Sequence, residues 1–190
     1  MKFLSLIATG AFIALGCVTA QAELPVGSRA PDFTVDAALA GQPYRFSMSE
    51  ALAGGPVVLY FYPAAFSKGC TIEANAFAEA MDDFRALGAS VIGISADDIN
   101  TLKEFSVSAC GSKFPVGADT TGEVIRAYDA ESGTRRGRAN RISYVISPTG
   151  EVVYVHASMQ PDLHVRNTLD AVRRLQATTK HAGSAAVRAP

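Results

Sequence analysis

Short unbroken apolar runs alternate along the chain with longer stretches in which apolar residues return every three or four positions. Val57 to Tyr62 and Val91 to Ile94 are continuous runs of β-forming residues, the pattern of central strands buried on both faces. Gly54-Gly55-Pro56 precedes the first run and Pro63 ends it. From Ser67 to Leu87 the apolar residues Ile72, Phe77, Ala80, Met81, Phe84 and Leu87 fall at helical spacing, and Gly88 supplies a stop. Asp97 and Asp98 can cap a following helix that runs from about Ile99 towards Ala109, with Ile99, Leu102 and Phe105 inward. Phe33 to Phe46 alternates weakly around Gly41-Gln42-Pro43, which predicts a short hairpin or a strand with a loop. Phe114-Pro115-Val116 reads as an edge-like strand, because proline lacks the donor that a central position needs. Glu123 to Tyr128 predicts a brief helix. Ile142 to Ile146 and Val152 to Val155 flank Ser147-Pro148-Thr149-Gly150, a hairpin signal. Leu163 to Leu175 predicts a closing helix with Leu163, Val165, Leu169, Val172 and Leu175 inward.

Strand–helix units followed by a hairpin and a last helix indicate an α/β, thioredoxin-like fold, a central mixed β-sheet flanked by helices. The 190 residues allow one domain, and no internal repeat is visible. That domain is expected over 23–176. Met1 to Ala22 reads as a cleaved secretory signal, with Lys2 as its charged start, an apolar stretch from Phe3 to Val18, and Ala20-Gln21-Ala22 as the small-x-small cleavage site. The apolar stretch is shorter than the ~20 residues of a spanning helix. Ile13-Ala14-Leu15-Gly16-Cys17 loosely fits a lipobox, so lipoprotein processing at Cys17 is the minor alternative. Ala177 to Pro190, small and polar without a period, is expected to be a frayed tail.

Composition narrows the function. Hydrophobic residues make up 48% and charged residues 18%, which excludes wholesale disorder. A net charge of −1 argues against nucleic acid as the main partner. Without residues 1–22 the chain keeps Cys70 and Cys110 as its cysteines. In an oxidising compartment, such a pair is either a structural disulfide or chemistry.

Cys70 lies where the central strand gives way to the longest predicted helix, in that helix's first turn. Unpaired backbone N–H groups and the positive helix end favour a thiolate there. Ser67, three residues upstream, can donate its hydroxyl to the sulfur or to a bound oxygen, and Pro63 can shape the loop and shield the sulfur. An inert buried thiol at a helix start fits the position equally well.

Pro63, Ser67 and Cys70 reproduce a Pro-x-x-x-Thr/Ser-x-x-Cys motif, and with their flanks the chain resembles the peroxiredoxins, in particular the Q-type (bacterioferritin-comigratory) group. Phe61-Tyr62-Pro63 and Gly69-Cys70-Thr71 carry the likeness, as do Ala30-Pro31-Asp32-Phe33 near the start and Phe114-Pro115 with Asp119. Arg141-Ile142-Ser143-Tyr144-Val145-Ile146 with its following turn completes it. The resemblance implies a thiol peroxidase in which Cys70 attacks the peroxide and becomes a sulfenic acid, while Pro63, Ser67 and Arg141 bind and polarise the substrate. Elementary electrostatics agrees for Arg141, since a guanidinium beside a thiolate favours the charged sulfur and stabilises the leaving oxygen. Glu73 stands where the family usually has Glu. It is read either as an organiser of arginine charge or as an acid favoured in the first helical turn.

The second cysteine departs from the pattern. Many Q-type members carry a resolving cysteine five positions after the first, and here that position is Asn75. Cys110 is the remaining candidate resolver, forming an intramolecular disulfide; the alternative is a one-cysteine peroxidase resolved by an external thiol. His156, His164 and His181 match no metal spacing and are read as local structural residues. Arg135, Arg136 and Arg138 are read as a solvated loop. With no glycine-rich phosphate loop and no metal motif, no cofactor is expected. The expected partners are a peroxide and an exported thiol reductant, thioredoxin-like or small. No nucleic acid and no stable membrane association are expected, the chain being a monomer in the periplasm or secreted. A peroxide sensor that relays oxidation to a partner protein is the other class of function.

Overall fold

The computed structural model describes residues 23–186, with side chains as far as Thr179. The expected signal segment 1–22, Cys17 included, and the last four residues lie outside the described residues.

The elements run in the order β1 (Thr34–Leu39), β2 (Gln42–Ser47), α1 (Met48–Gly54), β3 (Val57–Phe61), α2 (Lys68–Ala86), β4 (Ser90–Ser95), α3 (Ile99–Ser108), β5 (Val116–Ala118), α4 (Glu123–Ala127), β6 (Ile142–Ile146), β7 (Val152–Ala157) and α5 (Pro161–Ala186). The strands form a seven-stranded mixed sheet ordered β2-β1-β5-β4-β3-β6-β7. This is the thioredoxin-like α/β arrangement expected. β3 lies between parallel β4 and antiparallel β6, and all five of its residues are buried. Its side chains alternate between two cores. Val58 and Tyr60 face α2, α3 and α5, while Val57, Leu59 and Phe61 face α1 and α4. Each fully buried apolar side chain contributes about 1.5–3 kcal/mol, so this strand anchors both layers.

The weak alternation before β3 resolves into a hairpin. β1 and β2 join through a two-residue turn at Ala40 and Gly41, both with positive φ, the geometry that matches strand twist. That hairpin changes the place of the Phe-Pro strand. β5 is not at an edge: it pairs with β1 on one side and β4 on the other. Pro115 stands just before the strand, where its missing donor leaves no rung of the ladder unmade, and its carbonyl accepts from Gly93 N at 3.2 Å.

Helix α2 starts at Ser67 as expected and buries Cys70, Glu73, Ala74, Phe77, Met81 and Phe84 along one stripe. Ile72 is exposed, because its position falls off that stripe. Asp98 caps α3, accepting from the backbone N–H groups of Asn100 and Thr101. α5 does not end near Leu175; it continues to Ala186 across the stretch expected to be a tail. Small residues without an apolar period do not oppose a helix, alanine being the best helix former. Thr178 and Thr179 also return their hydroxyls to the carbonyls four residues back. Among the described residues, no helix is long and apolar enough to cross a membrane.

One close approach fixes the core beneath the β3–α2 junction. A Cβ on Gly93 would lie 2.5 Å from the ring of Tyr60, and that ring stacks on Phe77 of α2 at 4.5 Å. Replacing Gly93 with Ala should therefore displace Tyr60 and cost about 1–3 kcal/mol, measurable as a lower urea midpoint at unchanged slope.

Candidate active site

The chain leaves β3 at Tyr62, turns through Pro63 to Ser67, and enters α2. Ala65 N donates to Asp97 Oδ2 at 2.6 Å, and the Ser95 hydroxyl donates to the same oxygen at 2.9 Å. Asp97 Oδ1 accepts from Arg138 Nη1 at 2.8 Å. Arg138 is thus not part of a purely solvated loop; Arg135 and Arg136 are exposed as expected. Phe66 is exposed at φ 62°, a backbone conformation rare for a bulky residue, and its ring meets Phe105 of α3 edge-on at 5.2 Å.

Cys70 lies in the first turn of α2 with only 1% of its surface exposed. Arg141, one residue before β6, is also buried, and its Nη2 donates to Cys70 Sγ at 3.5 Å. Its Nη1 donates to Glu73 Oε2 in a buried hydrogen bond. Burial alone would lower the pKa of this guanidinium, but the neighbouring Glu73 and Cys70, both acceptors of its hydrogen bonds, outweigh burial and hold the pKa above its usual value. Nε of Arg141 has no protein partner among the described residues. Gly69 makes the approach possible, since a Cβ there would lie 2.9 Å from Arg141 Nη2. A cleft of about 260 Å³ opens beside Arg141, lined also by Asn140, Ser158 and Met159.

Ser67 occupies the N-cap position, but its hydroxyl does not reach the sulfur. It donates to the carbonyl of Ala64 at 3.0 Å, and Ser67 itself is exposed. Pro63 is half-buried at the head of the loop. Asn75 is exposed on α2. Cys110 is fully buried just past the end of α3 and, like Cys70, is a free thiol. Burial pushes the Cys110 thiol far up. Both cysteines belong to one core with Tyr60, Tyr62, Phe77, Phe105 and Phe114.

Two of the histidines meet beside the buried Arg141–Glu73 contact. His156 and His164 stack edge-on at 4.7 Å, and His164 is fully buried, with Nδ1 2.8 Å from Ser143 Oγ and 3.7 Å from Glu73 Oε1. Burial pushes Glu73 up, to about 8, against the pull of Arg141, and pushes His164 down to about 4. The sequence carried a signal for both. Glu73 falls on the buried stripe of α2, and His164 and Thr168 fall on the buried stripe of α5, where a polar group needs a buried partner.

A family model described as AhpC/TSA family matches residues 26–155. The chain is a peroxiredoxin. It is 35% identical over 150 residues to a putative chloroplastic peroxiredoxin Q of Oryza sativa subsp. indica, a match spanning 78% of this chain and 67% of the relative. It is 34% identical over 169 residues to the putative peroxiredoxin YkuU of Bacillus subtilis, spanning 82% and 91% respectively. The crystal structure of peroxidoxin BcpB from Mycobacterium tuberculosis superposes with a TM-score of 0.69 at 31% identity, over 78% of this chain and 96% of that one. These relatives support the Q-type group. The peroxiredoxin is accordingly a thiol-dependent peroxidase, an oxidoreductase.

Replacing Gly69 with Ala should push the Arg141 guanidinium away from the sulfur. The expected result is a fall of about 10–100-fold in the rate of Cys70 oxidation by hydrogen peroxide, with little change in melting temperature.

Proposed function

We propose that this peroxiredoxin is an exported peroxidase that reduces hydrogen peroxide and organic hydroperoxides through Cys70. The observation that carries the reading is the Arg141 donor on Cys70 Sγ, inside the Pro63–Ser67–Cys70 motif. The Cys70 thiolate attacks the terminal peroxide oxygen, the O–O bond breaks, and the other oxygen leaves as water or an alcohol after taking the peroxide proton. Cys70 is left as a sulfenate, protonated to the sulfenic acid. Arg141 stabilises the negative charge on the leaving oxygen, and its unpartnered Nε is a donor free for that oxygen. The Ser67 hydroxyl, bound to Ala64 in the resting loop, turns to the peroxide by a side-chain rotation, and Pro63 shields the sulfur. Glu73 holds Arg141 in place.

Cys110 then attacks the sulfenic acid, forming a Cys70–Cys110 disulfide and releasing water. Two electrons from an external thiol reductant, thioredoxin-like or small, restore both thiols. Because Cys110 is buried and its thiol held protonated, this step requires the end of α3 and the first turn of α2 to open. Two features favour opening at α3: Gly111 and Ser112 follow Cys110 with φ of 56° and 59°, the latter a strained conformation for serine. The pattern of residues 1–22 supports export to the periplasm or beyond, as a monomer not stably bound to membrane.

Peptide mapping after one equivalent of peroxide should find a Cys70–Cys110 link, and excess dithiothreitol should sustain turnover. Cys70→Ser should abolish consumption, while Cys110→Ser should stop at a sulfenic acid or mixed disulfide. A wild-type protein that shows only that adduct would mark a one-cysteine enzyme resolved by an external thiol. Consumption that ends after one equivalent would mark a sensor or relay. Residues beginning at Glu23 in the exported form would fit cleavage after Ala22.

A further inference from the structure

One oxygen of Glu73 is engaged and the other is not. Oε2 accepts from Arg141, whereas Oε1 is buried with no hydrogen-bond partner among the described residues and faces His164 Nδ1 at 3.7 Å. The other ring nitrogen sets the tautomer of His164. Nε2 lies 2.9 Å from the carbonyl oxygen of Ser158, which can only accept, so Nε2 carries the hydrogen. Nδ1 of the neutral ring therefore presents a lone pair, which takes the Ser143 hydroxyl at 2.8 Å. An ionised Oε1 would set an anionic oxygen against that lone pair in a buried space. Protonating the carboxyl removes the repulsion while the Ser143 hydroxyl keeps the Nδ1 lone pair.

Counting charge leads to the same place. Arg141 is the buried cation, and a Cys70 thiolate balances it. If Glu73 is also ionised, two buried anions share one cation. The groups facing this centre are Cys70 and Glu73 from α2, Tyr60 from β3, Arg141 and Ser143 at β6, His156 from β7, and His164 and Thr168 from α5. Tyr60 stays neutral, its hydroxyl pushed well up by burial, and burial holds His156 down.

We propose that Glu73 and His164 form a buried pair that holds one proton, with His164 a positioning residue that keeps the charge of Arg141 available to Cys70. The proposal deepens the peroxidase reading and rests on Cys70 reacting as a thiolate. The burial shifts run the same way: Glu73 is raised and His164 lowered, so the proton sits on the carboxyl. As pH rises through the range of the pair, that proton passes to solvent. The new carboxylate then takes a share of Arg141, and the peroxide reaction slows.

The test is the rate of Cys70 oxidation by hydrogen peroxide against pH, in wild type, Glu73→Gln and His164→Asn. In wild type the rate should decline by about tenfold above about pH 8. Glu73→Gln, whose amide cannot ionise, should lack the decline. His164→Asn removes the lone pair and sets an amide donor near Oε1, which favours the carboxylate, so its decline should move to lower pH. Imidazole nitrogen chemical shifts of wild-type His164 give a readout that needs no variant to fold. They should show the Nε2–H tautomer at neutral pH and move over the same interval as the decline. A decline that persists in Glu73→Gln, an unmoved profile in His164→Asn, or a doubly protonated ring at neutral pH would overturn the pair. A wild-type Cys70 that is not oxidised at any pH would overturn the peroxidase site, and the pair with it.

Discussion

A single buried guanidinium ties Cys70 to Glu73 at the centre of the candidate site. Arg141 reaches Cys70 with one nitrogen and Glu73 with another, and it is itself almost wholly out of water. A charge in that position is tolerated only because its partners are in place. Removing the Glu73 acceptor would leave a buried guanidinium N–H without a partner and cost about 1–3 kcal/mol. The geometry around it follows from that constraint. Position 69 has no side chain because the guanidinium occupies the space, Cys70 and Glu73 stand one helical turn apart so that both face it, and β6 begins directly after the arginine.

The sheet supplies the rigidity this requires. β3, buried on both faces between β4 and β6, fixes the start of the Pro63–Ser67 loop, and the neighbouring β6 fixes Arg141. The loop is tied by Ala65 to Asp97, Asp97 to Arg138, the Ser67 hydroxyl to Ala64, and the ring of Phe66 on Phe105.

The strands and helices were largely legible in the sequence because apolar runs and apolar periods are local signals. β3, β4 and the stripe of α2 follow from them. What was not legible came from pairings between distant segments. The place of β5 depends on the β1–β2 hairpin folding across it, and no property of Phe114-Pro115-Val116 encodes that. Cys70 and Arg141 stand out only through the resemblance to peroxiredoxins. A lone cysteine at a helix start and a lone arginine before a strand are each ordinary, and 71 positions separate them. Glu73, His164 and Ser143 were legible in part, as polar residues on buried faces, but their mutual partners were not. The Ser67 hydroxyl was expected to donate to the sulfur or to a bound oxygen, and here it closes the loop on Ala64.

The central claim is that the charge and forked shape of Arg141, rather than the helix end alone, make Cys70 reactive towards peroxide. The most direct measurement is the rate constant for Cys70 oxidation by hydrogen peroxide in wild type and Arg141→Lys. The chain has no Trp to report the reaction by fluorescence, so rapid quench with mass spectrometry is the suitable readout. Lysine keeps the charge but cannot donate to the sulfur and to Glu73 through a planar fork, so the rate should fall by about 100-fold or more. A rate within about threefold of wild type, in a variant that remains folded, would contradict the account.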